Sequence, residues 1–144
     1  MTISKSARYA LHAALEMALA GDEPVTAARV ARRRGIPEAA LAKVLQQLVR
    51  AGIALGTRGA AGGYRLARRA SAVSVLDVIA AFEPPHAAGR CLGPQTPDGA
   101  CALPDCALRA LFDEADELLR CTYASVSLAT LARRSRPAEA SRRV

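Results

Sequence analysis

The segment Thr26-Ala-Ala-Arg-Val-Ala-Arg-Arg-Arg-Gly-Ile-Pro-Glu-Ala-Ala-Leu-Ala-Lys-Val-Leu45 reads as two helices and the turn between them. Thr26 is suited to cap a short helix, Ala27 to Arg34, by accepting from its first-turn N–H groups. Gly35 supplies the left-handed residue that ends this helix. Pro37 stands where the first turn of a helix tolerates proline, so a second helix opens at Glu38 and runs to Ala51, where Gly52 stops it. Ala31 is small where the two helices would cross, and Val30, Ile36, Leu41 and Val44 form the core between them. Two helices joined this way place the second in the major groove of DNA, N-terminal end first.

Upstream, Ser6 to Leu19 forms a helix with Ser4 as a possible cap and Ala7, Leu11, Ala14, Leu15 and Ala18 as its core stripe. Arg8, His12 and Glu16 interrupt it at every fourth position, the mark of an amphipathic helix rather than a secretory signal. No apolar run reaches the length a membrane span needs, so the expected location is cytoplasmic. Downstream, Ile53–Thr57 and Tyr64–Ala67 flank the glycine-rich tip Arg58-Gly-Ala-Ala-Gly-Gly63 and read as a hairpin. Ser74-x-x-Asp77 resembles a capping box for a helix ending near Phe82. Pro84 and Pro85 break the chain before a Gly/Pro-rich loop. A long helix from Cys106 to about Tyr123 follows, apolar on Leu108, Leu111, Phe112, Ala115, Leu118 and Leu119. A short helix at Leu128–Leu131 and a charged, disordered tail from Arg133 complete the chain.

The expected fold is therefore mainly α with a small β-hairpin wing. Residues 1–84 form a winged helix-turn-helix domain and 85–105 a cysteine-containing sensor loop. Residues 106–132 hold the long helix and the short terminal one, and 133–144 the tail.

The charge of the 144-residue chain is +7, unevenly placed. Residues 1–70 hold twelve Lys/Arg against four Asp/Glu, a balance of +8, whereas 71–144 hold eight against nine. The positive half is the one with the helix-turn-helix, as expected of a face that meets a polyanion. The leading end of the second helix offers Glu38 but little else that hydrogen-bonds. Lys43 and Gln47 are the better candidates for base or phosphate contact, and Arg32, Arg33 and Arg34 for phosphates. Arg58 with Gly59 at the hairpin tip suits a narrow minor groove. With aromatics at 3%, a stacking platform for RNA or single strands is not expected. Two histidines and no paired acid and base or nucleophile motif leave little to catalyse with.

Cys91, Cys101 and Cys106 fall within sixteen residues, spaced C-x9-C-x4-C. In a cytoplasmic protein this clustering points to metal or redox chemistry before a structural disulfide. Thiolates suit iron–sulfur clusters and zinc alike. A reversible disulfide between Cys91 and either of the others, or incidental thiols on a loop, are the other readings. Cys121, inside the long helix, reads as a packed core residue. A fourth ligand would come from His12, with His86, Asp105 and Glu16 behind it; otherwise His12 is a surface histidine paired with Glu16.

Taken together, Ser6-Ala-Arg-Tyr-Ala10, Leu41-Ala-Lys-Val-Leu-Gln-Gln-Leu48, Arg50-Ala-Gly52, Thr57-Arg-Gly-Ala-Ala-Gly-Gly-Tyr64, Asp77-Val-Ile79 and the three cysteines before a long helix resemble one family. It is the Rrf-two family of bacterial winged helix-turn-helix transcription regulators, and the resemblance covers roughly residues 2–131. The resemblance implies a homodimer paired through the helix after Cys106, bound to a palindromic double-stranded operator. It also implies a 2Fe–2S or 4Fe–4S cluster on the cysteines, whose loss or oxidation changes DNA affinity in response to redox state, iron or nitric oxide. Arg58 matches the family's wing arginine, and His12 a position where the partner's first helix supplies a ligand. The cysteine gaps of nine and four depart from the family's usual equal gaps, and Arg8 and Arg109 stand where some members place ligands. The function expected is repression governed by the cluster. The alternatives are a metal-free regulator answering to thiol oxidation or a small ligand, and a protein-binding module that controls a metabolic enzyme.

Overall fold

A computed structural model of the chain describes residues 3–83, 97, 103 and 105–135. Its elements are α1 (Lys5–Ala20), α2 (Ala27–Arg34), α3 (Glu38–Arg50), β1 (Ala54–Thr57), β2 (Gly63–Leu66), a 3-10 turn (Ala70–Ala72), α4 (Val75–Ala80), α5 (Ala107–Ser125) and α6 (Leu128–Ser135). This is a mainly α winged helix-turn-helix, as the sequence implies.

The local signals act as their chemistry dictates. The Thr26 hydroxyl accepts from the Arg29 amide at 3.2 Å to cap α2. Gly35 ends α2 in the left-handed region at φ 64°, ψ 32°. The Ile53 amide donates to the Leu48 carbonyl and the Gly52 amide to that of Val49, both at 3.0 Å. Those two bonds are the 6→1 and 5→2 pair that closes a helix on a glycine. At α4 the Ser74 hydroxyl accepts from the Asp77 amide at 3.0 Å and the Asp77 carboxylate accepts from the Ser74 amide at 2.8 Å, the reciprocal capping box.

Helix α1 is the centre of the core, packed against α2, α3, α4, α6 and β2. Its buried stripe is Ala7, Ala10, Ala13, Ala14 and Met17, joined by Glu16. The expected stripe is thus corrected: Leu11, Leu15 and Ala18 lie half-buried at its edge. Alanines at 10 and 13 let α3 and its neighbours approach the helix axis, so the small residues face inward. Val30, Ile36, Leu41 and Val44 are buried between α2 and α3 as expected, with Ala31.

The wing pairs β1 with β2 antiparallel, Ala54 opposite Leu66 and Thr57 opposite Gly63. Val25, just before α2, adds a two-way amide–carbonyl exchange with Tyr64 at 2.8 Å, an isolated bridge the sequence did not signal. Gly63 is required there, because a Cβ on it would lie 2.7 Å from the Val25 carbonyl oxygen.

The C-terminal part returns to this core. The Leu128 amide donates to the Val73 carbonyl at 2.9 Å, the Val75 amide to that of Val126 at 2.8 Å, and the Leu128 side chain is fully buried. Helix α6 continues to Ser135, so the tail expected to be disordered from Arg133 begins as helix. No helix among the described residues is long and apolar enough to cross a membrane. The loop expected at 85–105 lies almost wholly outside the described residues, as does the tail beyond 135.

Candidate nucleic-acid interface

The inward residues of α3, Leu41, Val44, Leu45 and Leu48, fix which side of the helix faces out. Its exposed side carries Glu38, Ala39, Lys43, Gln46, Val49 and Arg50. Ala39, Lys43, Gln46 and Arg50 succeed one another at intervals of four, three and four, which makes them one face of an α-helix. Beyond it stands the wing, whose tip exposes Arg58 and Gly59. Gly59 adopts φ 110°, a conformation side chains rarely take, and a Cβ on Gly62 would lie 2.6 Å from the Thr57 carbonyl oxygen. The wing glycines thus meet steric demands of the hairpin itself, whatever approaches from outside.

Five of the eight residues expected at the interface are exposed and carry no ion pair or side-chain hydrogen bond among the described residues: Arg32, Glu38, Lys43, Arg58 and Gly59. The other three are engaged within the protein. The Gln47 side chain is half-buried and donates from Nε2 to the Ala81 carbonyl at 3.1 Å, tying α3 to the end of α4. Gln47, expected at the interface, is thus engaged within the protein, whereas Gln46, next to it, is the outward glutamine, and nothing in the sequence distinguishes the two. Arg34 turns inward, donating from Nε to Glu16 Oε1 at 2.7 Å. Arg33 lies 3.3 Å from the other carboxylate oxygen, with its own side chain 57% exposed. Of the expected phosphate set, Arg34 is thus engaged by Glu16, and Arg33 is shared with it.

Glu16 is the one buried charged residue among the described ones, 2% exposed. The spacing of α1 predicts it on the outer face, where it could pair with His12 or serve as a ligand. Instead two guanidinium groups offset the cost of burying its carboxylate and join α1 to α2. His12, one turn earlier, is exposed.

Of the expected metal ligands, Cys91 and Cys101 lie outside the described residues, as does His86. Cys106 is half-buried at the N-cap of α5. Asp105 beside it is exposed, and no group of three metal-ligating side chains occurs among the described residues. Cys121 is exposed, with Sγ donating to Glu117 Oε1 at 3.6 Å, which corrects its expected role as a core residue. Helix α5 packs on α4, yet none of its residues is fully buried. Leu108, Leu111, Ala115, Leu118 and Thr122 are all exposed and repeat at intervals of three and four.

The chain has extensive similarity to known proteins. The profile of the family described as Rrf2, iron-dependent transcriptional regulator, matches residues 3–134. The HTH-type transcriptional regulator BadM of Rhodopseudomonas palustris is 43% identical over 83 residues, 58% of this chain and 53% of that protein. The HTH-type transcriptional regulator IscR of Xenorhabdus nematophila is 33% identical over 132 residues, 91% of this chain and 79% of that protein. The matched region thus spans about half of the first relative's length and most of the second's. Among solved structures, CymR, the global cysteine regulator of B. subtilis, has a TM-score of 0.80 at 26% identity, covering 94% of this chain and 99% of that one. IscR of T. potens has a TM-score of 0.78 at 24% identity, covering 96% and 91%, a likeness of fold.

Proposed function

The chain belongs to the Rrf2 family of transcriptional regulators, and from that premise we propose that it is a homodimeric repressor whose grip on double-stranded operator DNA is set by an iron–sulfur cluster. Its relatives are transcriptional regulators, not enzymes. The observation that carries the DNA-binding part is the outward face of α3: Lys43 and Arg50 on one side, Arg58 on the wing, all exposed cations without a carboxylate partner among the described residues. Cations left unpaired around a helix-turn-helix are what phosphates neutralise.

The dimer reading is supported by α5. Exposed apolar residues at intervals of three and four form the seam by which two helices supercoil, and a second copy of α5 would cover it.

The cluster reading is supported by the donor set. Soft thiolates suit iron–sulfur chemistry, and Cys106 stands at a helix N-terminus, which favours an anionic group. Cys91, Cys101 and Cys106 would hold the cluster, with His12 as the candidate for a remaining ligand. When bound, such a group supplies reversible electron transfer and a ligand set open to oxidation or nitric oxide.

A second reading keeps the DNA binding and replaces the cluster by thiol chemistry or a small ligand; the match to a cysteine regulator over 94% of the chain favours it. Anaerobic purification with iron, sulfide and zinc analysis separates the two. Iron and sulfide in equal amounts, lost in Cys101→Ala, are expected. Full iron and sulfide in that variant would contradict the ligand assignment, and metal-free protein that still binds DNA would leave the second reading standing.

A further inference from the structure

We infer that the basic end of α6, with the arginines that follow it in the chain, is a second contact for double-stranded DNA, one that grips phosphates without reading sequence. This goes beyond the helix-turn-helix and the wing, and it rests on the DNA-binding reading above. The near balance of eight cations and nine acids over residues 71–144 conceals a division. Residues 71–132 hold three Arg against eight Asp/Glu, whereas 133–144 hold five Arg against Glu139 alone.

The first part of this basic stretch is fixed on the core. Leu128 is fully buried and Leu131 packs beside it, so α6 is held by its apolar side. Arg133 and Arg134 stand exposed in its last turn, and α6 includes no acid. Arg133 donates to the Thr130 hydroxyl at 3.3 Å, a neutral partner, and neither arginine has a carboxylate partner among the described residues. Helix α6 also packs on the 3-10 turn Ala70–Ala72, which the chain enters from the wing through Arg68 and Arg69, both exposed. Arg68 donates to the Ala72 carbonyl at 3.3 Å, again a neutral partner. Two pairs of arginines from distant parts of the sequence thus border the same packed elements, next to the wing.

The dipole of α6 favours cations in its last turn, which accounts for Arg133 and Arg134 but does not reach past that turn to Arg136, Arg142 and Arg143. Clustered like charges near the end of a chain are a common means of holding nucleic acid. The nine residues after Ser135, which lie outside the described residues, span at most about 30 Å, so cations from α6 onward can follow a backbone past the wing. The acidic helix α5 is the other counterpart to consider. Its Asp113 lies 3.5 Å from Arg109 and its Glu117 3.4 Å from Arg120, so arginines of α5 itself already serve it. An external polyanion is the better match.

The test uses a duplex that the wild-type protein selects from a random-sequence pool, with flanking sequence kept on both sides, and a scrambled duplex of the same composition. Affinity is measured by fluorescence anisotropy across a salt series. Each phosphate-neutralising cation removed flattens the plot of log affinity against log salt by about one unit. Arg133→Ala combined with Arg134→Ala should therefore flatten it by about two for each subunit bound. A chain ended at Ser135, which loses three arginines and Glu139, should flatten it by about two as well. Affinity should fall by the same factor on both duplexes, so that the preference for the selected sequence is kept. Arg133→Lys combined with Arg134→Lys should hold the wild-type slope, and thermal unfolding should match the wild type in every variant, as expected of exposed positions. Wild-type slope and affinity in both the double-alanine variant and the shortened chain would overturn the second contact and leave the regulator reading intact. A loss confined to the selected duplex would overturn its independence of sequence. A wild-type protein that enriches no duplex would overturn the regulator reading and this contact with it.

Discussion

Helices α3 and α5 are both amphipathic and leucine-rich, and their leucines have opposite surroundings. Leu41, Leu45 and Leu48 of α3 are fully buried, whereas Leu108, Leu111 and Leu118 of α5 are 54%, 57% and 65% exposed. Sequence periodicity specifies only that a helix has an apolar side, and it says nothing about where the cover for that side comes from. For α3 the cover is α1, α2 and β1 of the same chain. For α5 the element packed against it among the described residues is α4, and the three-four seam is exposed among them. One region is thus a self-sufficient core, and the other is the face that the proposed homodimer would cover.

Truncating one leucine from each helix tests that division most directly. Leu45→Ala empties a fully buried site and should lower the unfolding free energy by about 3 kcal/mol, whatever the protein concentration. Leu118→Ala should leave the unfolding of the monomer within about 0.5 kcal/mol, as expected of a surface position. In the dimer it removes two leucines from the seam, each worth about 1.5 kcal/mol, so the dissociation constant should rise roughly 100-fold. Denaturant unfolding and sedimentation equilibrium separate the effects. A Leu118→Ala protein with unaltered dimer affinity would show that the seam of α5 is not the interface.

The arginines of α2 extend the contrast to charge. Arg34 is 24% exposed in its side chain and bound to a carboxylate that is 2% exposed, so Arg34→Ala leaves Glu16 with Arg33 alone. Removing one partner of a buried pair is costly; with Arg33 remaining, a loss of about 2 kcal/mol is expected. Arg32→Ala, at an exposed position, should change stability by less than about 0.5 kcal/mol and act instead on the salt dependence of DNA binding. Thermal unfolding of both variants provides the check. Equal stabilities would mean that the Glu16 carboxylate does not depend on Arg34.

Where the sequence was legible, a local rule decided the outcome. Thr26, Gly35, Gly52 and the Ser74–Asp77 pair each satisfy backbone groups within a few residues, so their roles follow from spacing alone. Where it was not, the deciding partner is distant along the chain or the choice is between near-equals. Helix α1 carries alanine or leucine around most of its circumference, so its apolar pattern is weakly directional, and packing against α3 and α4 selected Ala10, Ala13 and Met17 over Leu11 and Leu15. Glu16 reads as a solvent residue until Arg34, eighteen residues on, is placed beside it. The run Arg32-Arg33-Arg34 was the available signal, because three adjacent cations around one short helix cannot all face the same way. Gln46 and Gln47 differ by a rotation of roughly 100° about the helix, which sends one outward and the other to the Ala81 carbonyl. Cysteine generally favours the interior, but Cys121 lies on a side of α5 that is exposed among the described residues.

The smallest expected effect concerns the joint between the two regions. Helix α4 contacts α1 on one side and α5 on the other, and its first turn is held by the Ser74 capping box. Ser74 also forms an isolated bridge with Ser127, where the chain leaves α5 and enters α6. Ser74→Ala removes the acceptor for the Asp77 amide and should cost about 1 kcal/mol in denaturant unfolding. The backbone bonds Leu128 N–H to Val73 and Val75 N–H to Val126 do not involve the hydroxyl, so α5 should keep its place. Dimer affinity is then expected to stay within about twofold, a difference of roughly 0.4 kcal/mol. A large fall in dimer affinity with this modest loss of stability would show that α4 couples the core to the seam, and that the two regions do not act as separate units.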